Sequence, residues 1–441
     1  MRTITASLRA LLLLATALLL AACGDKPSGE ISKLSGETMG TTWHVSIAQK
    51  LDAPAQAALQ QRIDSALEAV NDSMSTYREQ SELMRYNHNP ATTPQPVSDG
   101  LRRVIGKALE ISVQSDGVYD ITVGPLVNLW GFGPVKRQDK PSDAEIAAAL
   151  QQRIDAALEA VNDSMSTYRE QSELMRYNHN PATSPQPISD GLRRVIAKAL
   201  TISAQSDGVY DITVGPLVNL WGFGPVKRQD KPGDDEIAAA LQHVGYQKLQ
   251  LSDAGLAKSD PQTFIDLSSI AKGYGVDVVA ETLLDAGYPH FIVEIGGEVR
   301  ASGTKNDAPW RVGIERPEQG LATGEGVENI IAMNAKLPAM ATSGNYRQYA
   351  ERGGEMAYHI VDPHDGRSHQ SRLLSATVLA EDCMTADAYA TALMVLGDEK
   401  ALAFADTYGL AAELILAGDA TRPFKIARSR AFRAAVQEEK P

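Results

Sequence analysis

Cysteine is almost absent from this chain: Cys23 and Cys383 are the only two among 441 residues, so a disulfide-stapled scaffold is excluded. Basic charge is in deficit. The net charge of −13 argues against a general nucleic-acid binder, which needs a basic face to neutralise phosphates. Neither a Walker-type loop nor a G-x-G-x-x-G fingerprint is present. A phosphate-bearing ligand would therefore have to be held by a metal or by local amides. Long apolar runs are lacking too, except for residues 11–20, which are too few to span a bilayer. What is there is globular: 43% hydrophobic and 22% charged, over a length that suits two or three ordinary domains.

The N-terminus carries a targeting pattern. Met1, Arg2 and Arg9 give a positive start, residues 11–20 an apolar core, and Leu20-Ala21-Ala22-Cys23 resembles a bacterial lipobox. An ordinary signal peptide followed by a chance cysteine is the plainer alternative. On the lipoprotein reading residues 1–22 are a signal peptide and Cys23 is the lipidated first residue. Cys383 is then left with no partner. Residues 23–37, with Pro27, Ser28 and Gly29, form a tether, and the expected location is the inner membrane, lipid-anchored, on the periplasmic side.

Residues 57–151 recur, offset by about 91 positions, as residues 148–242, with only about eight differences, among them Gly106 against Ala197 and Ala144 against Asp235. Solenoid repeats run to roughly 20 to 50 residues and drift far more. The pattern reads as a tandem copying of half a domain, with 57–147 as a surplus first copy and 148–242 as the copy in the native place. One copy is expected to complete the core with the N- and C-terminal segments, leaving the other without a partner. The joint could fuse two helices into one.

Apolar spacing predicts helices over 55–70, 146–161, 101–112, 237–242 and 268–284, and alternation predicts strands over 42–47, 119–123, 248–251, 263–267, 291–295, 298–301, 310–314, 329–332 and 375–379. Strands and helices mix without regular alternation, so the expected class is α+β, mixed sheets with packed helices.

Three stretches carry chemistry. In residues 384–397, rich in alanine and leucine and closed by Gly397, Asp387 and Thr391 lie one helical turn apart. Two hard oxygen donors on one face suit Mg²⁺, although a first-turn charge and a filler threonine would look the same. The stretch from Asp266 to Asp277 is an acidic strand end opening a helix with small residues and glycines, where free N–H groups can hold phosphate or where two helices can pack closely. Tyr358-His359-Ile360-Val361-Asp362-Pro363 places a histidine just ahead of a turn. Beside the polar loop read at residues 341–346, His359 is a candidate base or ligand clamp.

"TMGTTWHV", "MSTYRE" and "YDITVGPLVNLWGFGP" (each of the latter two twice), "IDLSSIAKGYGVD", "VEIGGEV", "ATSGNYR", "YHIVDPHDG" and "TADAYATALMVLG", in that order, resemble the bacterial FAD:protein FMN transferases, the ApbE-type flavin transferases. The resemblance implies a T-fold-like α+β transferase domain over residues 38–441, interrupted by the surplus half-domain. It implies Mg²⁺ on Asp387, Thr391 and a main-chain oxygen of Ala271. It puts FAD, as substrate, against Met39, Tyr168, Val209, Tyr210, Asp211, Ser268, Tyr274 and Val361, or against the first-copy equivalents Tyr77, Val118, Tyr119 and Asp120. His359 would activate the acceptor hydroxyl. The implied reaction moves FMN from FAD to a threonine or serine of partner flavoproteins, such as membrane redox-pump subunits, and releases AMP. With water as acceptor the same site would be an FAD pyrophosphatase. A flavin-binding lipoprotein without turnover is the reading from a different class.

Overall fold

The computed structural model describes residues 31–89, 95–114, 119–130, 134, 139–225, 227–317, 326–345, 349–352, 355–369, 371–419 and 421–436. Residues 1–22, read as a signal peptide, Cys23 and Val118 lie outside them. The described residues fall into two compact units, Met1–Ile111 with Trp130–Gln138, and Ser112–Leu129 with Asp139–Pro441.

The first unit begins with an antiparallel hairpin, β1 (Ser32–Thr38) and β2 (Thr41–Ile47). Its two-residue turn puts Met39 and Gly40 at positive φ, 51° and 72°, the geometry that matches strand twist. Helix α1 (Ala53–Met74) starts where Asp52 accepts from Ala55 N–H, with a proline in its first turn. Its polar side chains tie it to the hairpin: Gln60 donates to the Ser35 carbonyl at 3.3 Å and Asn71 to Thr38 Oγ1 at 3.2 Å. Helices α2 (Glu82–Asn87) and α3 (Asp99–Gln114) follow.

The second unit opens with α4 (Gly124–Leu129), α5 (Asp143–Met165), α6 (Glu173–His179), α7 (Asp190–Gln205), α8 (Gly215–Leu220) and α9 (Asp234–Leu241). Helix α5 crosses the joint of the two repeats. Its halves correspond to two separate helices, α9 and α1, and a capping box between Ser142 and Glu145 starts it. A hairpin of β3 (Leu249–Ser252) and β4 (Gly255–Lys258) leads to helix α10 (Ala271–Asp285). Strands β5 (Phe291–Ile295), β6 (Glu298–Ser302), β7 (Thr304–Lys305), β8 (Ala308–Pro309), β9 (Arg311–Glu315), β10 (Val327–Ala332), β11 (Ala339–Gly344), β12 (Tyr349–Arg352), β13 (Glu355–Tyr358) and β14 (Leu373–Ala380) come next. Helix α11 (Cys383–Tyr408), strands β15 (Ala411–Ala417) and β16 (Phe424–Arg428), and helix α12 (Arg430–Ala435) close the chain.

The main sheet has the order β16-β15-β14-β11-β6-β5, with every neighbour antiparallel. Strand β14 is apolar on both faces because both are covered. Ala376 and Val378 enter the core shared with α7 and α11, while Leu379 enters a second core with Ile331, Ile415 and Phe432. Helix α7 supplies Leu192, Val195, Ile196, Ala199 and Ile202 to the first core, all fully buried. Each larger aliphatic side chain there contributes about 1.5–3 kcal/mol of burial.

The class is α+β, with mixed helices and sheets. Three expectations on its elements are corrected. Residues 119–123 are a turn leading into α4, because Asp120 accepts from the N–H of Thr122 at 2.7 Å and bends the chain. Residues 263–267 form no strand; the Ile265 and Asp266 N–H groups are taken by Asn178 Oδ1 and the Ile212 carbonyl, and the helix begins only at Ala271. Residues 339–344, read in part as a polar loop, form the interior strand β11, whose hydroxyls pair across the ladder, Thr342 with Thr377 at 2.8 Å.

Candidate functional site

Helix α11 carries the densest group of candidates, and local chemistry explains its start and its break. Asp382 accepts from Thr385 N–H at 2.8 Å as its own N-cap. Gly397 takes φ 69° and ψ −174°, a conformation costly for other residues, and splits the helix into two segments; Ser371 Oγ accepts from Asp398 N–H and caps the second.

Asp387 is 3% exposed, and its Oδ2 accepts from Gly273 N–H at 3.0 Å. The carboxylate thus meets the first turn of α10, the turn that begins at Ala271. Close approach is possible because residue 273 is glycine: an added Cβ would stand 2.4 Å from the Cys383 carbonyl oxygen. One turn further along α11, Thr391 Oγ1 lies 3.1 Å from Ser343 Oγ on β11. Burial pushes the Asp387 carboxyl above its ordinary range, while the Lys272 charge and the Gly273 N–H pull it back.

Two neighbours were not assigned a role from the sequence. Lys272 forms an ion pair with Glu298, which is 2% exposed at the start of β6. Burial and the Asp387 charge both push the Glu298 carboxyl upward. Its Oε2 is buried without a hydrogen-bond partner. With both acids ionised, one lysine leaves this cluster short of positive charge, and the donors on hand are carboxylate, hydroxyl and main-chain oxygens. That set fits a hard divalent cation such as Mg²⁺. The sequence sign of Glu298 is an acid directly after the Gly296-Gly297 turn, at the start of a strand.

The second copy is built into this region. Tyr210 accepts from Ser269 Oγ at 3.0 Å, and burial drives its hydroxyl pKa well up. Asp211 is taken up by backbone amides of its own loop and of the turn after α9, accepting from Thr213 N–H at 2.7 Å and Tyr246 N–H at 2.6 Å, and Val209 beside it is half-buried. Ser268 is exposed at the mouth of α10, and its N–H donates to Asp266 Oδ1 at 2.7 Å. Tyr274 faces α7 under the Arg194 guanidinium, 5.7 Å from its ring centre.

A further cluster surrounds the histidine. His359 is half-buried, edge-on to Phe223 with ring centres 6.5 Å apart, and the exposed Tyr168 donates to the Phe223 carbonyl at 3.4 Å. Val361 is buried with Leu217, Trp221 and Ile237, and Trp221 Nε1 donates to the Gly366 carbonyl at 2.8 Å.

The remaining candidates have different local surroundings. Asp120 pairs with Arg153 of α5 at 2.6 Å, and Tyr119 beside it is exposed. Met39 and Tyr77, both exposed, belong to the first compact unit. Among the described residues no helix is long and apolar enough to cross a membrane.

A model of the ApbE family matches residues 39–155 and, a second time, residues 149–414. The FAD:protein FMN transferase of Vibrio cholerae is 42% identical over 287 residues, covering 65% of this chain and 84% of that protein. Its counterpart in Haemophilus influenzae is 43% identical over 293 residues, covering 65% and 83%. Among solved structures, the flavin transferase ApbE from Vibrio cholerae aligns with a TM-score of 0.59 at 41% identity, over 68% of this chain and 93% of that one. The apo form of the Pseudomonas stutzeri flavinyl transferase ApbE aligns with a TM-score of 0.59 at 36% identity, over 66% and 88%.

Proposed function

Since the chain belongs to the ApbE family, we propose that it transfers FMN from FAD to a threonine or serine hydroxyl of a partner protein and releases AMP. The hydroxyl oxygen forms a bond to the FMN phosphorus, the pyrophosphate P–O bond breaks, AMP leaves with the electron pair, and the hydroxyl proton passes to a base. The observation that carries this reading is the meeting of buried Asp387 with the turn that begins at Ala271.

Asp387, Thr391 and the Ala271 carbonyl would hold Mg²⁺, which when bound offsets phosphate charge and draws electrons from the bridging oxygen. The protein's own residues do the rest. Small residues at the start of α10 let a phosphate approach backbone N–H groups at a positive helix end. Lys272, half-exposed on one side of its pair with Glu298, adds a cation where anionic substrate must lie. His359, steadied by Phe223, is the candidate acceptor of the hydroxyl proton. Tyr168 offers an exposed aromatic face for adenine or isoalloxazine.

The test is to incubate the chain with FAD, Mg²⁺ and an acceptor fragment and to weigh the fragment by mass spectrometry. A gain of one FMN supports transfer; FMN and AMP with an unchanged fragment point to a pyrophosphatase; unchanged FAD points to a flavin carrier. Asp387→Ala is expected to abolish transfer, and undiminished activity in that variant overturns the cation assignment. We also propose that Cys23 is lipidated and anchors the chain at the inner membrane on the periplasmic side, where acceptors such as redox-pump subunits would be met. Fatty-acid labelling that survives Cys23→Ser overturns the anchor. Finally, we take the second copy as the one in the native place.

A further inference from the structure

Helices α10 and α11 meet through a ladder of contacts, and its outermost rung is a carboxylate so far without a role. Asp277 is completely buried in α10. Its Oδ1 accepts from Cys383 N–H and its Oδ2 from Met384 N–H, each at 2.9 Å. These amides begin α11 and have no partner inside that helix. Arg300 of β6 pairs with the same carboxylate at 2.8 Å. The next rung lies one turn away on each helix, where Gly273 N–H meets Asp387 Oδ2 at 3.0 Å. Beyond it, toward the start of α10 and further along α11, come Ala271 and Thr391.

Each step along α10 toward its N-terminus is therefore matched by a step along α11 toward its C-terminus. Fixing one rung fixes the others. A forked carboxylate gripping two successive amides defines both rotation and height of α11, because two acceptor oxygens can satisfy two adjacent donors in only one register. The missing Cβ at Gly273 lets the helices close far enough for that grip.

We infer that Asp277 is a positioning residue for the cation site: by clamping the Cys383 and Met384 amides it sets the register of α11 on α10 and so aims Asp387 and Thr391 at the Ala271 carbonyl. This rests on the reading of those three residues as the Mg²⁺ site. Asparagine in place of Asp277 keeps one acceptor but turns an N–H donor toward an amide that is itself a donor. The rung then loses one of its two bonds, and α11 is free to slide or turn.

Calorimetric titration of the metal-free full chain with Mg²⁺ tests this. Asp277→Asn is expected to weaken Mg²⁺ binding about 10- to 100-fold, the loss usual when a residue orienting metal ligands is removed. Phe432→Leu, which loosens the second core, a cluster that contains neither Asp277 nor the three cation-site residues, serves as the control for lost stability and is expected to keep wild-type affinity. Wild-type affinity in a folded Asp277→Asn protein overturns the inference, and so does an equal loss in Phe432→Leu. Should Asp277→Asn fail to fold, hydrogen exchange of the wild-type chain decides. Coupling is reciprocal, so Mg²⁺ must slow exchange at the Cys383 and Met384 amides, and unchanged exchange there overturns the clamp. A wild-type chain that binds no Mg²⁺ removes the cation reading itself, and this inference with it.

Discussion

The two repeats are nearly the same sequence in different surroundings. Val195 of α7 is fully buried, whereas its first-copy equivalent Val104 of α3 is 50% exposed. Tyr177, Ile202, Tyr210, Ile212 and Trp221 are all buried; Tyr86, Ile111, Tyr119, Ile121 and Trp130 at the matching positions are all exposed. The first copy is also divided between the two compact units, while the second lies whole in one. Both copies make their helices, because capping serine, apolar spacing and propensity are local. What differs is the company. The second copy is stitched to the C-terminal half by Asn178 with Ile265, Trp221 with Gly366 and Ser269 with Tyr210. The first is stitched to the N-terminal hairpin by Gln60 and Asn71. Identical residues thus become core or surface according to which half they meet.

Matched substitutions sharpen this contrast. The largest expected effect is on Val195→Asp, which strands a charge in an apolar core and should cost about 3–5 kcal/mol or prevent folding, while Val104→Asp should stay within about 0.5 kcal/mol in denaturant titration. Equal losses would break the comparison. Trp221→Phe removes the donor to the Gly366 carbonyl and some packed volume, an expected loss of about 1–3 kcal/mol, against about 0.5 kcal/mol or less for Trp130→Phe. Acrylamide should quench Trp130 fluorescence far more than that of Trp221. The smallest effect lies in helix propensity. An added Cβ at Gly106 meets nothing within 4 Å, so Gly106→Ala should raise the stability of α3 by up to about 1 kcal/mol, visible as a higher melting temperature for the first unit alone.

Much of this was legible beforehand, and the failures have physical causes. The long helices and the strand at residues 42–47 carry local signals and form close to where the sequence pattern puts them, whereas β1, the partner of that strand, lies largely in the stretch read as a tether. The expectation of a strand at residues 119–123 failed because Asp120 and Asp211 bond their own backbone two residues on, which defeats the β preference of their isoleucine, threonine and valine neighbours. Strand β11 escaped notice because its serine and threonine look like loop but are satisfied by Thr377 and Thr391. Around α11, the spacing of Asp387 and Thr391 marks them as candidates on one helical face. Glu298, Lys272 and Asp277 carry no such mark, because their significance depends on which helix and strand the fold sets beside α11, and no local pattern encodes that.

Tyr168 and Tyr77 give the most direct test that the second copy builds the flavin site. They are matched in sequence and almost equally exposed, 63% and 65%, so neither substitution should disturb folding. FAD affinity of the full chain, measured by flavin fluorescence for Tyr168→Ala and Tyr77→Ala, is the decisive quantity. We expect Tyr168→Ala to weaken binding about tenfold, the size of one lost aromatic contact, and Tyr77→Ala to leave it unchanged. A loss confined to Tyr77→Ala would contradict the account.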